Sequence, residues 1–428
     1  MMIIVTNPPA RLSGEVAMPG DKSISHRAAI MGALAHGTTE VHGFLRGEDC
    51  LATVRCLKAL GVELHFVRDK LIIRGRGKHL TPPGEAPLLD AGNSGTTARL
   101  LMGLLAGQRF GAVLTGDSSL KRRPMERVAA PLRLMGACIE GDGSRLPLRI
   151  KGGELKPIHY KMPVASAQVK TALLLAGLFA AGETVIEEPA PSRNHTELML
   201  AQFGAAVCVE GSRISIRGEA ELKGCTVKVP GDISAAAFFL AAGCIVPGAE
   251  IWLRDVGVNP SRAGIIDLLK EMGADIQVQN RRMWGREAVA DLLVKGGAPL
   301  RGVAVGGEII PNIIDEIPAL AVVAALAQGE TVIGDAGELR VKESDRIAAL
   351  AGELGKMGAR IEELPDGLRI KGGSPLCGAV VESHGDHRIA MALAVAGLAA
   401  KGDTAVRHAS VINISFPGFM ETLRRLTL

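Results

Sequence analysis

Four clusters of charged and polar residues have the composition of a site that binds and transforms an anion. They lie at residues 20–27, 121–127, 192–197 and 340–346, and they combine Lys, Arg, Asp, Glu and His with hydroxyl side chains. Guanidinium and ammonium groups recognise phosphate and carboxylate, and neighbouring carboxylates can move protons. The clusters therefore predict a site for a substrate that carries phosphate and carboxylate groups.

These clusters also have structural interpretations. The mixed charges of segment 340–346 could form exposed ion pairs, each worth about 0.2–0.5 kcal/mol. A solvated helix end would explain Lys22 and Arg27. A structural role is less favourable for the basic run 121–123, because Pro124 favours a helix start there and cations at a helix N-terminus oppose the helix dipole.

The elements that must position the clusters form a repeat. Six helical runs rich in Ala, Leu and Gly each end at a glycine before a strand-like stretch, with a spacing of roughly 66–81 residues. These glycines are Gly37, Gly107, Gly182, Gly248, Gly329 and Gly402. A second, more amphipathic helix and short alternating strands follow each run. The predicted unit is β-α-β-α-β-β.

Each of the six first helices begins with polar residues. The openings are Asp21-Lys22-Ser23, Asn93-Ser94-Gly95-Thr96, Ser166-Ala167-Gln168, Asp232-Ile233-Ser234, Asp315-Glu316 and Asp386-His387-Arg388. Helix N-termini present unpaired N–H groups and partial positive charge, so several aimed at one point would bind anions. Ordinary capping explains the Ser, Asp and Asn residues. Capping does not require Lys22, Gln168 or Arg388.

Composition narrows the class of protein. The 428 residues are enough for more than one domain. A net charge of +4 and an aromatic fraction of 3% argue against a nucleic-acid binder. The seven cysteines are scattered without a C-x-x-C pair and mostly within apolar stretches, which predicts buried thiols in a reducing compartment, no disulfides and no zinc site. We expect no metal and no cofactor.

Location and domain boundaries follow from local patterns. The N-terminal segment has no basic region or cleavage-like site, and no apolar run approaches the ~20 residues that span a bilayer, so we expect a soluble cytoplasmic protein with no membrane partner.

Two Pro-Gly turns, at residues 19–20 and 230–231, predict domain junctions. The predicted lobes are 20–231, and 1–19 plus 232–428. We expect the N-terminal strands near Ile3–Thr6 and Gly14–Met18 to complete the last repeat.

Six motifs in order resemble the 5-enolpyruvylshikimate-3-phosphate synthase family. They are Gly-Asp-Lys-Ser-Ile-Ser-His-Arg (20–27), Gly-Asn-Ser-Gly-Thr (92–96), Lys-Arg-Arg-Pro-Met (121–125), Ser-Ala-Gln (166–168), Arg-Val-Lys-Glu-Ser-Asp-Arg (340–346) and Gly-Asp-His-Arg (385–388). The resemblance covers about residues 11–419 and is specific because six motifs occur in one order. It implies a two-lobed inside-out α/β barrel, with three β-α-β-α-β-β repeats per lobe.

The resemblance also implies an activity and a set of site residues. The activity is transfer of the enolpyruvyl group of phosphoenolpyruvate to the 5-hydroxyl of shikimate 3-phosphate, with release of phosphate, in the shikimate pathway of aromatic amino-acid biosynthesis. Residues implied to bind shikimate 3-phosphate are Lys22, Ser23, Arg27, Ser166, Ala167, Gln168, Arg193, Asp315 and Lys342. Residues implied to bind phosphoenolpyruvate are Lys22, Asn93, Gly95, Arg123, Gln168, Arg346 and Arg388.

Three residues are candidates for proton transfer. Asp315 is the choice for deprotonating the 5-hydroxyl, and Glu343 for proton exchange at the methylene carbon, with Lys22 as a competing candidate. We expect a monomer with two small-molecule substrates.

Two other functions remain open. One is that of a related enzyme on this fold, UDP-N-acetylglucosamine enolpyruvyl transferase. Most forms of that enzyme use a Cys in one loop, and the corresponding loop of this chain, residues 117–123, contains no Cys. A non-catalytic repeat scaffold would carry the same clusters as surface ion pairs.

Overall fold

The computed structural model of the protein describes residues 2–218 and 220–427, which divide into two compact units. The N-terminal unit contains Gly20–Val229 and Trp284–Glu287. The C-terminal unit contains Met1–Pro19, Pro230–Met283 and Ala288–Leu428.

Short strands make up the sheets of both units. The strands are β1 (Ile3–Thr6), β2 (Ser13–Ala17), β3 (His36–His42), β4 (Glu63–Val67), β5 (Lys70–Arg76), β6 (Leu88–Asp90), β7 (Gly111–Thr115), β8 (Cys138–Glu140), β9 (Leu148–Lys151), β10 (His159–Lys161), β11 (Glu183–Glu187), β12 (Val207–Glu210), β13 (Arg213–Arg217), β14 (Thr226–Lys228), β15 (Glu250–Gly257), β16 (Asp275–Trp284), β17 (Glu287–Lys295), β18 (Ala304–Val305), β19 (Glu330–Ile333), β20 (Arg360–Leu364), β21 (Gly367–Lys371), β22 (Val380–Glu382) and β23 (Thr404–Arg407).

Helices alternate with these strands. The α-helices are α1 (Lys22–Leu34), α2 (Glu48–Ala59), α3 (Gly95–Ala106), α4 (Ser118–Arg122), α5 (Glu126–Leu134), α6 (Ala167–Gly177), α7 (His195–Gln202), α8 (Ile233–Ile245), α9 (Gly264–Glu271), α10 (Ile310–Ile313), α11 (Ile317–Leu326), α12 (Arg346–Lys356), α13 (His387–Ala396) and α14 (Phe419–Thr427). The described residues also form short 3-10 helices at Asp142–Ser144, Gly307–Ile309, Gly337–Val341 and Ala409–Ile414.

Each unit contains three mixed sheets among the described residues. In the N-terminal unit the strand orders are β14-β3-β5-β4, β6-β7-β9-β8 and β10-β11-β13-β12. In the C-terminal unit they are β16-β17-β15-β2, β18-β19-β21-β20 and β1-β23-β22. In the second sheet, β6 and β7 are parallel with α3 between them in the chain, while β7 and β9 are antiparallel.

The two N-terminal strands join different sheets. β1 pairs antiparallel with β23 in the sheet of the last repeat, as expected. β2 instead pairs in parallel with β15, so the expectation that both strands complete the last repeat is wrong for β2. β17 covers one edge of β15, which leaves the other edge for β2. Val16 of β2 is thereby buried in the core of the C-terminal unit.

The first helix of each repeat is buried almost all round. α1, α3 and α6 lie in the core of the N-terminal unit, and α8, α11 and α13 lie in the core of the C-terminal unit. Small residues permit this close packing. At Gly103 of α3, an added Cβ would lie 2.1 Å from the carbonyl oxygen of Ala172 in α6, so only glycine fits there. In α1 and α6 burial begins after the first two residues, which leaves the helix starts available for chemistry.

The environment of the cysteines differs in part from the prediction. All seven are free thiols, and burial raises the pKa of the Cys56 and Cys244 thiols to about 12. The prediction of burial is wrong for Cys138, Cys208 and Cys377, which are exposed. Cys138 and Cys208 lie on the outer strands β8 and β12, whose side chains largely face solvent.

Within residues 2–218 and 220–427, no single helix is long and apolar enough to cross a bilayer. One bent pair, 307–313 with 317–326, meets the criterion of length and composition when taken together across a 110° bend.

Candidate active site

The start of α1 holds Lys22 beside a carboxylate. Asp21 caps the helix, with its side chain accepting a hydrogen bond from the backbone N–H of Ile24 at 2.8 Å. Nζ of Lys22 lies 3.1 Å from Oδ2 of Asp49, in the first turn of α2. Both side chains are largely buried. The ammonium group of Lys22 is therefore fixed near the N-terminus of α1 instead of extending into solvent.

Arg27, one turn along α1, is a buried cation with neutral partners. Its guanidinium donates to Oγ1 of Thr196 at 2.7 Å, to Oγ1 of Thr171 at 2.7 Å and to the carbonyl oxygen of Ser23 at 2.9 Å. The part of the chain that the structure describes places no carboxylate within ion-pair distance of it.

The pKa of Arg27 reflects this environment. Burial lowers this pKa from its ordinary value to about 10. The carboxylates of Glu197, Asp21 and Glu287 act in the opposite direction, and the cation of Arg193 adds to the decrease. The charge of Arg27 is thus held at an energetic cost that an anionic ligand would relieve.

Lys170 of the same unit is a buried cation with a structural role, and its partners can be compared with those of Arg27. It is buried to the same degree, and its Nζ lies 2.8 Å from Oε2 of Glu188 and 2.6 Å from Oε1 of Glu197. Two carboxylates therefore compensate the charge of Lys170. Arg27 has no ion pair of this kind, which distinguishes a candidate binding residue from a structural one.

A second group of predicted residues meets at the start of α3. Ser94 caps the helix, and Gly95 is its first residue. Arg123 donates to the side-chain oxygen of Asn93 at 2.7 Å, to the backbone oxygen of Asn93 at 3.3 Å and to Oγ of Ser119 at 3.2 Å. Asn93 donates in turn to Oδ2 of Asp117 at 2.7 Å. Arg123 is thus another buried guanidinium whose partners are neutral oxygens.

Gln168 links the start of α6 to the start of α3. Its Oε1 accepts a hydrogen bond from Nη1 of Arg99 at 2.9 Å, and its Nε2 donates to Oγ1 of Thr96 at 3.0 Å. Ser166 caps α6 and Ala167 is its first residue. The structure therefore brings Asn93, Gly95, Arg123 and Gln168 into one group within this unit.

The C-terminal unit gathers its predicted residues around Arg346. The buried guanidinium lies 2.7 Å from Asp386, 2.7 Å from Glu343 and 3.3 Å from Asp315. Burial opposes the charge, but the carboxylates of Asp386, Glu343 and Asp315 outweigh it and raise the pKa of Arg346. Arg346 is thus strongly compensated, in contrast to Arg27 and Arg123.

Arg388 completes this group. Its Nη1 donates to the backbone oxygen of Asp315 at 2.9 Å, and its Nε lies 3.8 Å from the carboxylate of Asp315. Asp386 caps α13 by accepting a hydrogen bond from the backbone N–H of Arg388 at 2.8 Å. Asp315, Glu343, Arg346 and Arg388 therefore form one connected set. Lys342 lies next to Glu343 in the chain, directly after the 3-10 helix Gly337–Val341.

Several partners of the predicted residues were not themselves among the predicted site residues, and three of them are charged groups bonded directly to Lys22, Gln168 or Arg346. Asp49 pairs with Lys22, Arg99 bonds to Gln168, and Asp386 pairs with Arg346. Arg99 follows Gly95 by one helical turn, which is a signal that could have been used. Asp49 and Asp386 stand at helix starts, where carboxylates are common as caps, so their sequence context points to capping alone.

The chemistry of these side chains indicates a class of protein. Buried arginines bonded to neutral oxygens, a buried lysine at a helix start and a carboxylate cluster are typical of an α/β enzyme that acts on small, multiply charged anions. Among residues 2–218 and 220–427, no group of three or more His, Cys, Asp or Glu side chains is arranged to hold a metal ion.

Comparison with known proteins identifies the family. A family model described as EPSP synthase (3-phosphoshikimate 1-carboxyvinyltransferase) matches residues 6–423. The 3-phosphoshikimate 1-carboxyvinyltransferase of Desulforamulus reducens is 55% identical over 429 residues, covering 99% of each chain, and that of Pelotomaculum thermopropionicum is 57% identical over 419 residues, covering 97% of this chain and 96% of the relative.

A solved structure agrees with this result. EPSP synthase from Acinetobacter baumannii superposes with a TM-score of 0.88 at 46% identity, covering 99% of this chain and 98% of the other. The chain belongs to the EPSP synthase family, whose members are carboxyvinyl transferases.

Proposed function

We propose that this chain transfers the enolpyruvyl group of phosphoenolpyruvate to the 5-hydroxyl of shikimate 3-phosphate and releases phosphate, a step in the synthesis of aromatic amino acids. The observation that carries the proposal is the pair of buried guanidiniums, Arg27 and Arg123, whose hydrogen bonds go to neutral oxygens. Each is left with positive charge that a substrate phosphate or carboxylate would compensate. Family membership supplies the identity of the two anions.

Shikimate 3-phosphate binds, in this proposal, to residues around Arg27. Hydroxyl and amide groups of the substrate-binding set orient the ring, and the cations hold the phosphate. The set is Lys22, Ser23, Arg27, Ser166, Ala167, Gln168, Arg193, Asp315 and Lys342. The contrast between Arg27 and the fully compensated Lys170 supports this role, because a purely structural cation at the same depth acquires carboxylate partners.

Phosphoenolpyruvate binds, in this proposal, to a set of residues that includes the start of α3. The proposed set is Lys22, Asn93, Gly95, Arg123, Gln168, Arg346 and Arg388. The helix start of α3 supports anion binding, since its first N–H groups have no partner within the helix. Gly95 has no side chain that would separate a ligand from its backbone.

The reaction proceeds by addition and elimination. The 5-hydroxyl oxygen bonds to C2 of phosphoenolpyruvate as Asp315 takes its proton, and C3 gains a proton that Glu343 has first taken up from solvent, which gives a tetrahedral adduct. The C3 proton then returns to Glu343 while the bond between C2 and the phosphate oxygen breaks, and phosphate departs with the electron pair. Lys22 is the alternative proton carrier at C3. Arg123, Arg346 and Arg388 stabilise the departing negative charge.

The proposal extends to the organisation of the chain. Each lobe is an inside-out α/β barrel of three β-α-β-α-β-β repeats, with lobes at 20–231 and at 1–19 plus 232–428. Three sheets and three buried helices in each unit support this arrangement. The protein acts as a cytoplasmic monomer without a cofactor.

Phosphate release tests the function directly. We expect release from phosphoenolpyruvate only when shikimate 3-phosphate is present, because the transfer requires an acceptor hydroxyl. A coupled phosphate assay with each substrate alone, with both, and with UDP-N-acetylglucosamine as acceptor makes the distinction. Release with UDP-N-acetylglucosamine, or with no acceptor, would contradict the assignment.

Replacing Arg27 should weaken the binding of shikimate 3-phosphate without much change in the stability of the free protein. Arg27→Met removes three hydrogen bonds, each of which contributes about 0.5–1.5 kcal/mol to the free energy of unfolding. It also removes a buried charge, and the lowered pKa of that charge corresponds to a penalty of about 3 kcal/mol, which opposes the loss. We therefore expect the free energy of unfolding of the free protein to change little. Stabilisation by shikimate 3-phosphate should be lost, as measured by urea unfolding with and without the ligand.

The sign of the Arg27 contribution follows from its pKa. Because the folded-state pKa of about 10 lies below the usual value of an arginine, the charge of Arg27 disfavours folding at every pH below about 10, and this penalty decreases only as the pH rises above about 10. Lys170→Met is the matched control. It leaves Glu188 and Glu197 buried without their cation and should lower the free energy of unfolding by about 3–5 kcal/mol. Equal destabilisation by both variants, with ligand stabilisation retained in Arg27→Met, would assign Arg27 a structural role.

A further inference from the structure

Two neighbouring carboxylates in the turn between α10 and α11 contact different arginines. The chain bends by 110° there. Asp315 contacts the guanidiniums of Arg346 and Arg388, whereas Glu316 contacts the guanidinium of Arg262. Because the peptide unit that joins the two residues is planar, a rotation of the backbone that moves one side chain also moves the other. The direction of the Asp315 carboxylate is therefore linked to the contacts of Glu316.

Glu316 is completely buried and is held through one of its carboxylate oxygens. Oε1 lies 3.0 Å from Nη1 of Arg262 and also accepts a hydrogen bond from Oγ of Ser234. Nη2 of Arg262 donates to the same hydroxyl oxygen at 2.6 Å. Within residues 2–218 and 220–427, Oε2 of Glu316 has no hydrogen-bond partner. The orientation of this side chain therefore depends on the bonds to Oε1.

The partners of Glu316 are themselves fixed within the C-terminal unit. Ser234 lies in the first turn of α8, and its backbone N–H donates to the N-cap carboxylate of Asp232 at 2.8 Å. The guanidinium of Arg262 lies 3.5 Å from the same carboxylate, and Arg262 is buried. Glu316 is thus attached to the start of α8.

Asp315 is held more firmly by its backbone than by its carboxylate. Nη1 of Arg388 donates to the carbonyl oxygen of Asp315 at 2.9 Å. The carboxylate lies 3.3 Å from Arg346 and 3.8 Å from Nε of Arg388. Both distances exceed the ~2.7–2.9 Å of a well-aligned charge-assisted hydrogen bond. The backbone at residues 315–316 therefore has to set part of the direction of this carboxylate.

We propose that Glu316, held by Arg262 and Ser234, is a positioning residue for Asp315: the bonds to Oε1 fix the backbone of the turn and thereby the direction of the Asp315 carboxylate. This inference rests on the proposed function, in which Asp315 deprotonates the 5-hydroxyl. Glu316 is completely buried, so it acts through Asp315 and not by contact with a substrate. Its contribution is to the chemical step.

Two variants separate the hydrogen bonds of Glu316 from its charge. Glu316→Gln keeps an oxygen at the Oε1 position for Arg262 and Ser234, but it removes one of the carboxylates beside the buried guanidinium and should lower stability. Arg262→Met/Glu316→Leu removes the bonds and both charges together. Replacing a buried ion pair by apolar side chains is often neutral for stability, so we expect this double variant to unfold at a higher urea concentration than Glu316→Gln.

Activity should follow the bonds and not the stability. We expect kcat of Glu316→Gln, per folded molecule, to stay within about 3-fold of the wild type, and KM for phosphoenolpyruvate to change by less than about 3-fold in both variants. The double variant should lose about 10- to 100-fold in kcat, the cost of displacing a reacting group by about 1 Å. An ion pair with only a structural role predicts a normal kcat for the double variant. That result, or an equal loss of kcat in Glu316→Gln, would overturn the inference.

Two further variants control for stability and for the severity of the double substitution. Val294→Ala creates a cavity at a buried position of β17 in the same unit, and it should lower the urea midpoint with no change in kcat per folded molecule. Ser234→Ala removes one bond to Oε1 and no charge, and it should lower kcat by about 3- to 10-fold. A normal kcat in folded Ser234→Ala would contradict the inference even if the double variant fails to fold.

Hydrogen–deuterium exchange of the free proteins tests positioning without substrate. Peptides that cover residues 312–318 should exchange faster in Arg262→Met/Glu316→Leu than in Glu316→Gln or the wild type, relative to a peptide from β17, because the turn has lost the bonds to Oε1. This result is expected even if the wild type shows no enolpyruvyl transfer, so failure of the proposed function and failure of the inference are distinguishable. Equal relative exchange of this segment in the double variant and the wild type would overturn the inference.

Discussion

Replacing Lys22 by Met should reduce kcat by about 10³-fold or more while the protein still folds. Lys22 stands at the start of α1, and in the proposed mechanism it contacts both substrates, so its loss removes a charge that stabilises the transition state. Steady-state phosphate release gives the rate, and circular dichroism verifies the fold. Substantial turnover by a folded Lys22→Met protein would remove Lys22 from the site.

Lys22→Met should also lower the stability of the protein, because it removes the partner of Asp49. Lys22→Met leaves the buried carboxylate of Asp49 without its 3.1 Å ion pair, which should cost about 1–3 kcal/mol of stability. Lys22→Met/Asp49→Asn should recover most of that stability but none of the turnover. Lys70→Met, which removes a more exposed lysine paired with Glu40 at 3.2 Å, is the control and should change neither quantity.

Neutral isosteres at Asp315 and Glu343 should fail at different steps. Asp315→Asn removes the base for the 5-hydroxyl, so we expect a loss of about 10²–10⁴-fold and no accumulation of the tetrahedral adduct in rapid-quench experiments. Glu343→Gln should still bind both substrates but lose proton exchange at C3. The exchange is measured as solvent deuterium entering the methylene group of recovered phosphoenolpyruvate.

A structural role for Glu343 makes the opposite prediction. Glu343 lies 2.7 Å from the guanidinium of Arg346, and an ion pair with no part in catalysis would lower stability on substitution without affecting exchange per folded molecule. Near-normal deuterium incorporation by folded Glu343→Gln would therefore leave Lys22 as the proton carrier. Glu363→Gln removes another acid, one that pairs with Arg340 at 3.5 Å, and should affect neither exchange nor turnover.

The helix starts were predictable because their signals are local. Asp21, Ser94, Ser166, Asp232 and Asp386 each accept a hydrogen bond from a backbone N–H of the helix that follows, as N-cap residues do. The fifth helix, α11, is different. Glu316 precedes it without a capping side-chain bond, and its carboxylate instead pairs with Arg262 at 3.0 Å.

Contacts between distant segments could not be predicted from one sequence. Asp49 meets Lys22 across 27 residues and Asp386 meets Arg346 across 40, and no local pattern encodes either pairing. Nor does the sequence indicate how far neighbouring carboxylates balance the charge of each buried arginine. Arg27 and Arg346 resemble each other as single basic residues of a motif, yet one bonds to hydroxyl and carbonyl oxygens and the other to three carboxylates. The position of β2 depended on which sheet edge was open, which is a property of the assembled fold.

The most direct test of the central claim is to identify the product by ¹³C NMR. Wild-type protein is incubated in D₂O with shikimate 3-phosphate and phosphoenolpyruvate labelled at C2 and C3. The proposed reaction predicts one vinyl ether per phosphate released, with labelled C2 bonded to the 5-oxygen of shikimate 3-phosphate and deuterium in the methylene group. Phosphate release that yields pyruvate, or a vinyl ether formed only when UDP-N-acetylglucosamine replaces shikimate 3-phosphate, would contradict it.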